Sequence, residues 1–427
     1  MKQLKAAVIG YGDRGSIYSC YSLLEPDKLK IVAVVDVNEF RLAKAQKTYS
    51  LSNDALFKNV DELLSSDIDV DLYINATMDS LHYEVLKKLL STGKAVLTEK
   101  PIVNNEPQLL ELEDLAYKNH TQVFVGHVLR YTPFYKRIKE LVIRGEIGDI
   151  RTIEMAEHVG CGHYAGSYIR GRWRSEKECG STMLLAKCCH DLDIMCWINN
   201  ASAPKYVSSF GGRYYFKEEN APEGATDFCY KCPHEKTCYY SAIKMYFESD
   251  FSCELTYTKL NKEEISDEDK MQFLKTDDFG RCVYKIKESD VVDRQVVSIE
   301  FANGSVGTFT LSGASPEACR TISIIGTEGE IEGKLETGII LLKKNRFNST
   351  HPNITTIDVN NEAFSSEAMK GHSGGDYEII KSVVEYMNGK KDMITITKLS
   401  DSINGHLCVY AADESRLSKK IIQIKRD

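Results

Sequence analysis

The chain has 427 residues, 42% of them hydrophobic and 27% charged, with a formal net charge of -8. That is the composition of a globular protein able to bury a large core, and at about 150 residues per domain it implies two or three domains. The acidic balance argues against a nucleic-acid or anionic-membrane partner, and no apolar run reaches the roughly 18 residues of a membrane span.

The first strand-like run begins at Lys5, leaving no room for a signal peptide ahead of folded structure, so a cytoplasmic location is expected. The 13 cysteines then read as reduced thiols, some of them potential metal ligands, rather than a disulfide framework. Lys5–Ile9, Ile31–Val35, Leu72–Ala76, Ala95–Leu97 and Val123–Val125 are the first strand candidates. Stretches such as Leu81–Leu90 between them carry apolar residues at helical spacing. Such alternation predicts a parallel sheet covered by helices on both faces. A helix at Phe134–Ile143, a strand at Ile150–Ala156 and a long helix at Ser181–Ile198 follow. Val296–Phe301 and Ser305–Leu311 flank Asn303-Gly304, a strong hairpin signal. The fold class expected is an α/β Rossmann domain over 1–128, then an α+β domain over 129–427 with a large, mostly antiparallel open sheet. That second domain includes a cysteine-containing β-rich insertion at about 217–295. The acidic run Asn261–Lys270 reads as a solvated loop.

Gly10, Gly12 and Gly15 stand in G-x-G-x-x-G spacing between the first strand and a helix. The first allows a tight turn, the second a close approach to a pyrophosphate, and the third close helix–strand packing. A plain turn is the alternative. Asp36 ends the second strand about twenty residues on, where a carboxylate accepts from a ribose hydroxyl and repels a 2′-phosphate. NAD is therefore favoured over NADP, with helix capping as the other role for Asp36.

The strand ending at Leu97 runs into Glu99-Lys100-Pro101. With the glycines, Ala76-Thr77, His82, Leu129-Arg130-Tyr131 and His190-x-x-Asp193-x-x-x-Trp197, the sequence resembles the glucose–fructose oxidoreductase/inositol dehydrogenase/MocA family over residues 5 to about 200. A weaker echo occurs at Gly371–Asp376 and Ser402–Leu417. The resemblance implies that the cofactor is held by Gly10, Gly12, Asp13, Arg14 and Gly15, by Asp36, Val37, Asn38 and Arg41, and by Ala76, Thr77, His82, Glu99 and Lys100. It places Lys100 between nicotinamide and a sugar hydroxyl, and a sheet face that supports a homodimer or homotetramer.

Free lysine titrates near 10.4 and histidine near 6.5, so Lys100 as base would require a fall of about 3 units, roughly 4 kcal/mol. His190 is the better base, with Lys100 polarising the alcohol oxygen. The usual family form has an aspartate one turn before this histidine. Here Ala186 stands there and Lys187 follows. Asp193 is then the carboxylate expected to orient His190, and Lys187 is expected to lower its pKa. Residues 161–174 contribute His163, Arg172, Trp173 and Arg174, whose aromatic faces and guanidinium forks suit a sugar ring, although an interface loop would look similar. With Arg130, Tyr131, Lys100, Lys187 and His190 they form the candidate substrate site.

Cys229, Cys232 and Cys238, with Cys282 as a fourth, could hold a structural zinc ion; packing thiols or an iron–sulfur centre are the alternatives. The expected reaction is hydride transfer between NAD and a secondary hydroxyl of a sugar, cyclitol or glycoside. A redox-neutral glycosidase or lyase acting through a transient keto-sugar is the alternative. A non-catalytic NAD sensor is a third reading that Lys100 and His190 fit poorly.

Overall fold

The computed structural model describes residues 1–248, 258–360 and 371–426. Six strands form the first sheet: β1 (Leu4–Ile9), β2 (Leu29–Val35), β3 (Leu56–Phe57), β4 (Leu72–Asn75), β5 (Ala95–Thr98) and β6 (Val123–Val125). They are parallel, in the order β3-β2-β1-β4-β5-β6, the doubly wound arrangement with its crevice beyond the carboxyl ends of β1 and β4. β4 and β5 are buried at every position, as expected of strands covered on both faces.

Nine strands form the second sheet: β7 (Ile150–Gly160), β8 (Pro204–Gly212), β9 (Arg294–Phe301), β10 (Val306–Ser315), β11 (Cys319–Gly326), β12 (Gly329–Lys334), β13 (Ile339–Lys344), β14 (Asn353–Asp358) and β15 (Ile422–Gln423). The order is β14-β13-β12-β11-β7-β10-β9-β8-β15, antiparallel except between β7 and β10. The β9–β10 hairpin turns at Asn303-Gly304 as expected, with Gly304 at φ 82. β9 alternates strictly between exposed and buried positions. One face of the sheet packs on helices, and the other forms an open groove of about 560 Å³ lined by Glu154, Thr308, Thr310, Thr321 and Lys334.

The stretch expected to be a β-rich insertion differs. Among the described residues, 217–295 carries short helices at Glu218–Asn220, Cys229–Lys231, Ala242–Phe247 and Asp267–Thr276 before β9 begins at Arg294. Phe228 and Arg281 make an isolated bridge there. Residues 249–257 lie outside the described residues. The acidic run divides: 261–266 is the expected exposed loop, and a helix begins at Asp267, where Ser266 and Asp269 form a capping box.

Two late helices return to the first sheet. Tyr377, Ile380 and Val384 of Gly375–Met387 join one of its cores, and Ile403 and Leu407 of Leu399–Ser418 the other. The Val125 N–H donates to the Thr397 carbonyl (2.8 Å). A division at residue 128 therefore separates the sheets but not these helices. No helix among the described residues is long and apolar enough to cross a membrane.

Candidate active site

The glycine turn has the geometry its spacing predicts. Gly10 sits at φ 86, and a Cβ there would lie 2.6 Å from the Ala76 carbonyl oxygen. A Cβ on Gly15 would lie 2.0 Å from the Gly10 oxygen. At Gly12 the nearest atom to an added Cβ is Arg41 Nη1, 3.7 Å away, so a side chain there would fill a cradle that the turn leaves open. Gly12 precedes the helix Asp13–Leu24 without a side-chain cap, leaving first-turn N–H groups for an anion.

Asp36 is buried, and its carboxylate accepts from the Tyr11 N–H (2.8 Å) and the Asn38 N–H (2.8 Å). Arg41 Nη1 stands 3.7 Å from it. Asn38 caps the next helix by accepting from the Arg41 N–H, and Val37 is exposed at the crevice. Thr77 donates through its hydroxyl to Asn75 (2.9 Å). The His82 ring lies between the carbonyl oxygens of Pro101 (2.6 Å) and Thr77 (3.0 Å), so it braces the turn after β4 against the strand end after β5. These residues fit a dinucleotide: an open cradle, a free helix N-terminus and a fixed carboxylate at the ribose position.

Glu99 is buried and accepts from Arg14 Nε (2.8 Å), the Tyr18 hydroxyl (2.5 Å) and the Lys100 N–H (2.9 Å). Burial opposes ionisation, but Arg14 and Lys100 hold its carboxyl below the ordinary value. Arg14 also donates to Asp376 (2.6 Å), so its guanidinium is shared by two carboxylates. Asp13 stands beside this group, its pKa raised by burial against the pull of Arg14.

The second sheet's helices bring the other half. The chain forms a widened π turn over Leu184–Cys188 and an α-helix over Cys189–Ile198, an irregularity frequent at functional sites. In that turn the Ala186 carbonyl accepts from Lys100 Nζ (2.7 Å). Thus the position where a carboxylate was missing supplies a main-chain oxygen instead. His190, one turn later, is 5% exposed, and its Nδ1 is buried without a hydrogen-bond partner. Burial first, then the Lys100 cation, with His127, His372 and Arg320 adding, hold the ring well below its ordinary pKa.

Three expectations are corrected here. Asp193 does not orient His190: its oxygens are taken by Arg130 Nε (2.7 Å) and Nη2 (2.5 Å), and all these groups are buried. Lys187 is not what depresses His190, because it pairs with Glu157 (3.3 Å); it does help burial to bring the His163 ring down to about 3. Arg130 and Tyr131 do not face a substrate. Arg130 is locked on Asp193, and the Tyr131 hydroxyl meets Thr397 (3.0 Å), fixing the junction between the domains.

The loop residues divide similarly. Trp173 Nε1 donates to Asp79 (3.2 Å), and Arg174 is paired with Asp278 and Glu178. Arg172 lies toward the cofactor crevice, where burial and Arg41 lower its pKa and Asp13 opposes them. His163 packs its ring on Tyr168 at 5.3 Å. Sequence reasoning missed Glu157, Asp191 and Arg320, which form one buried ion cluster beside Lys187 (Arg320 Nε at 2.7 and 2.8 Å from the two acids). It also missed His127, whose ring stands 5.5 Å from that of His190, and His372, for which the i,i+4 spacing to Asp376 was the available signal.

Cys229, Cys232, Cys238 and Cys282 do line one small cavity, together with His234. Yet no three metal-ligating groups among the described residues are placed to share an ion. The Cys229 thiol faces the Arg281 carbonyl (3.6 Å) and Arg170 (3.6 Å), so the residues present do not fit the expected zinc and pack as thiols.

Comparison with known sequences matches the family described as "Oxidoreductase family, NAD-binding Rossmann fold" over residues 4–127, and its "C-terminal alpha/beta domain" over 139–424. YteT of Bacillus subtilis (strain 168) is 24% identical over 314 residues, 71% of this chain and 70% of that protein. The trans-1,2-dihydrobenzene-1,2-diol dehydrogenase of Xenopus laevis is 30% identical over 179 residues, 42% of this chain and 52% of that protein. Among solved structures, levoglucosan dehydrogenase in complex with NADH and levoglucosan superposes with a TM-score of 0.70 at 15% identity, covering 99% of this chain and 100% of that one.

Proposed function

The chain belongs to the Gfo/Idh/MocA family of oxidoreductases, and from that premise we propose that it transfers a hydride between NAD and a secondary hydroxyl of a sugar, cyclitol or glycoside. The observation that carries this reading is the contact of Lys100 Nζ with the Ala186 carbonyl (2.7 Å). It joins the strand end at the cofactor crevice to the helix that bears His190. NAD, when bound, supplies the hydride acceptor. Lys100 donates to the reacting oxygen and stabilises negative charge developing there. His190, neutral at pH 7 because of its burial and Lys100, takes the hydroxyl proton.

The sugar class is supported by the levoglucosan dehydrogenase likeness. Preference for NAD over NADP is supported by Asp36, whose buried carboxylate would stand against a 2′-phosphate. The open groove on the second sheet supports a homodimer or homotetramer, and the cytoplasm is the compartment proposed. Screening sugars, cyclitols and glycosides with NAD for NADH absorbance tests the reading. Net NADH from at least one compound is expected. Glycoside cleavage without net NADH would favour the redox-neutral alternative, and no turnover by NAD-loaded protein would overturn catalysis altogether.

A further inference from the structure

A line of imidazoles crosses the site. His406, His127, His190 and His372 follow one another with ring centroids 5.4, 5.5 and 6.2 Å apart. The inner end is closed. His406 and His127 are both 0% exposed, His406 Nε2 accepts from the Ile102 N–H (3.0 Å), and its Nδ1 faces the Ser402 carbonyl (3.3 Å). A proton that reached them would have no open path to bulk solvent. The outer end is open, because the His372 side chain is 40% exposed.

His372 is also held in place. Its Nδ1 lies 3.2 Å from both carboxylate oxygens of Asp376, which is 1% exposed and is gripped from behind by Arg14 (2.6 Å). Arg14 in turn holds Glu99, beside Lys100. A carboxylate on one ring nitrogen fixes the tautomer and leaves Nε2 as the acceptor. The backbone is left-handed at two successive non-glycine residues, His372 (φ 48) and Ser373 (φ 54). Such strain persists where surrounding contacts enforce it, and it clusters at functional sites. A Cβ on Gly371 would lie 2.1 Å from Asp376 Oδ2, so the preceding residue is a glycine that lets the chain close over the carboxylate.

We propose that the His372–Asp376 dyad is the proton exit of the active site. The proposal rests on the hydride-transfer reading above. In the oxidising direction the substrate C–H bond breaks with its hydride going to NAD, the O–H proton goes to His190, and a C=O bond forms. His190 then passes that proton to His372 Nε2, through one bridging water across the 6.2 Å between ring centres. The dyad releases it to bulk water, leaving both imidazoles neutral. Reduction runs the same path inward.

Two measurements on NAD-bound full-length protein test this. The first needs no substrate: exchange of the His190 ring N–H with water, followed by NMR in protein with nitrogen-labelled histidine. His372→Gln keeps a polar side chain at an exposed position, and it should slow that exchange by about tenfold or more, the low side of a positioned proton-transfer group. The second uses a sugar that the native protein oxidises. His372→Gln should make turnover limited by buffer, with added imidazole restoring it, while hydride transfer in a single turnover is unchanged. An unchanged His190 exchange rate would overturn the proposal, as would a turnover loss that no buffer repairs. A panel in which no sugar is oxidised would instead refute the hydride-transfer reading, and the exchange rate alone would then decide the relay.

Discussion

Mild acid should loosen this fold strongly. His127, His190 and His406 are buried, and each ring is held below its ordinary pKa, His406 at about 3 and the other two well below 6.5. Burial is the first cause in each; Arg130 and Lys100 add for His127, Lys100 for His190, and His127 for His406. In the unfolded chain each ring titrates near 6.5. The folded pKa values are depressed, so below about 6.5 the unfolded state binds protons that the folded state refuses. The stabilisation is complete above that value and is lost progressively as pH falls from there toward the folded pKa values. Between pH 7 and 5.5 each of these histidines then costs about 1 kcal/mol, and His163, also brought down to about 3, adds to the sum. Asp191 works the other way: burial, with Glu157 adding and Arg320 opposing, raises its pKa, so acidification returns part of that loss. The net loss of a few kcal/mol is large beside a total stability of roughly 5–15 kcal/mol. Urea unfolding at the two pH values, followed by circular dichroism, measures it. His406→Gln should reduce the pH-dependent part by about 1 kcal/mol, whatever it does at pH 7. A urea midpoint that stays level from pH 7 to 5.5 would refute the claim that these rings are buried as neutral bases.

His190→Ala should lower kcat/KM by roughly 10²–10⁴ and leave NAD affinity unchanged, because the ring comes from the second sheet's helix. Lys100→Met should also abolish turnover, but without rescue by added imidazole, since it removes charge stabilisation rather than a base. The ascending limb of the kcat/KM profile should lie below about 6.5; the same limb in His190→Ala would assign the base elsewhere. NAD should bind more tightly than NADP, and Asp36→Ala should narrow the gap. Dissociation constants for both cofactors decide this, and equal or tighter binding of NADP by the native protein would sink the role given to Asp36.

The first sheet was legible because parallel strands buried on both faces must be continuous apolar runs, and β4, β5 and β6 are such runs. The glycine turn was legible because Gly10 and Gly15 stand where any Cβ would collide with backbone. Pairing across the chain was not. The spacing of Asp193 from His190 shows only that they lie near one face of a helix. It cannot show that Arg130, 63 positions earlier, claims both carboxylate oxygens. Likewise, the apolar stripes of Gly375–Met387 and Leu399–Ser418 gave no hint that they cover the first sheet. The stretch 217–295 misled because its tyrosines and cysteines suit strands, whereas local caps such as Ser241 and Ser266 start helices. The four cysteines were correctly grouped around one cavity, but shared lining is a weaker condition than a common ligand sphere, which requires all sulfurs to converge on one point.

Ala186 shows how the site works with one carboxylate fewer. An aspartate at that position would hold Lys100 by charge and would cancel much of the positive potential at the reacting oxygen. The Ala186 carbonyl holds the same ammonium at 2.7 Å with a dipole and no net charge, so on the proposed reading no carboxylate at this position offsets the cation offered to the substrate. A unit charge at about 4 Å is worth on the order of 4 kcal/mol at an effective dielectric of 20, and here no acid at Ala186 offsets it. The buried acids around the site each have a cation of their own: Glu99, beside Lys100, with Arg14, Asp193 with Arg130, and Glu157 and Asp191 with Arg320. The Lys100 charge is the second cause, after burial, that keeps His190 unprotonated. One substitution in the helix therefore strengthens both halves of the proposed chemistry, stabilising an alkoxide and keeping its base neutral. It does so at the expense of a carboxylate that could have oriented the imidazole, and this is why His190 Nδ1 stands buried without a partner.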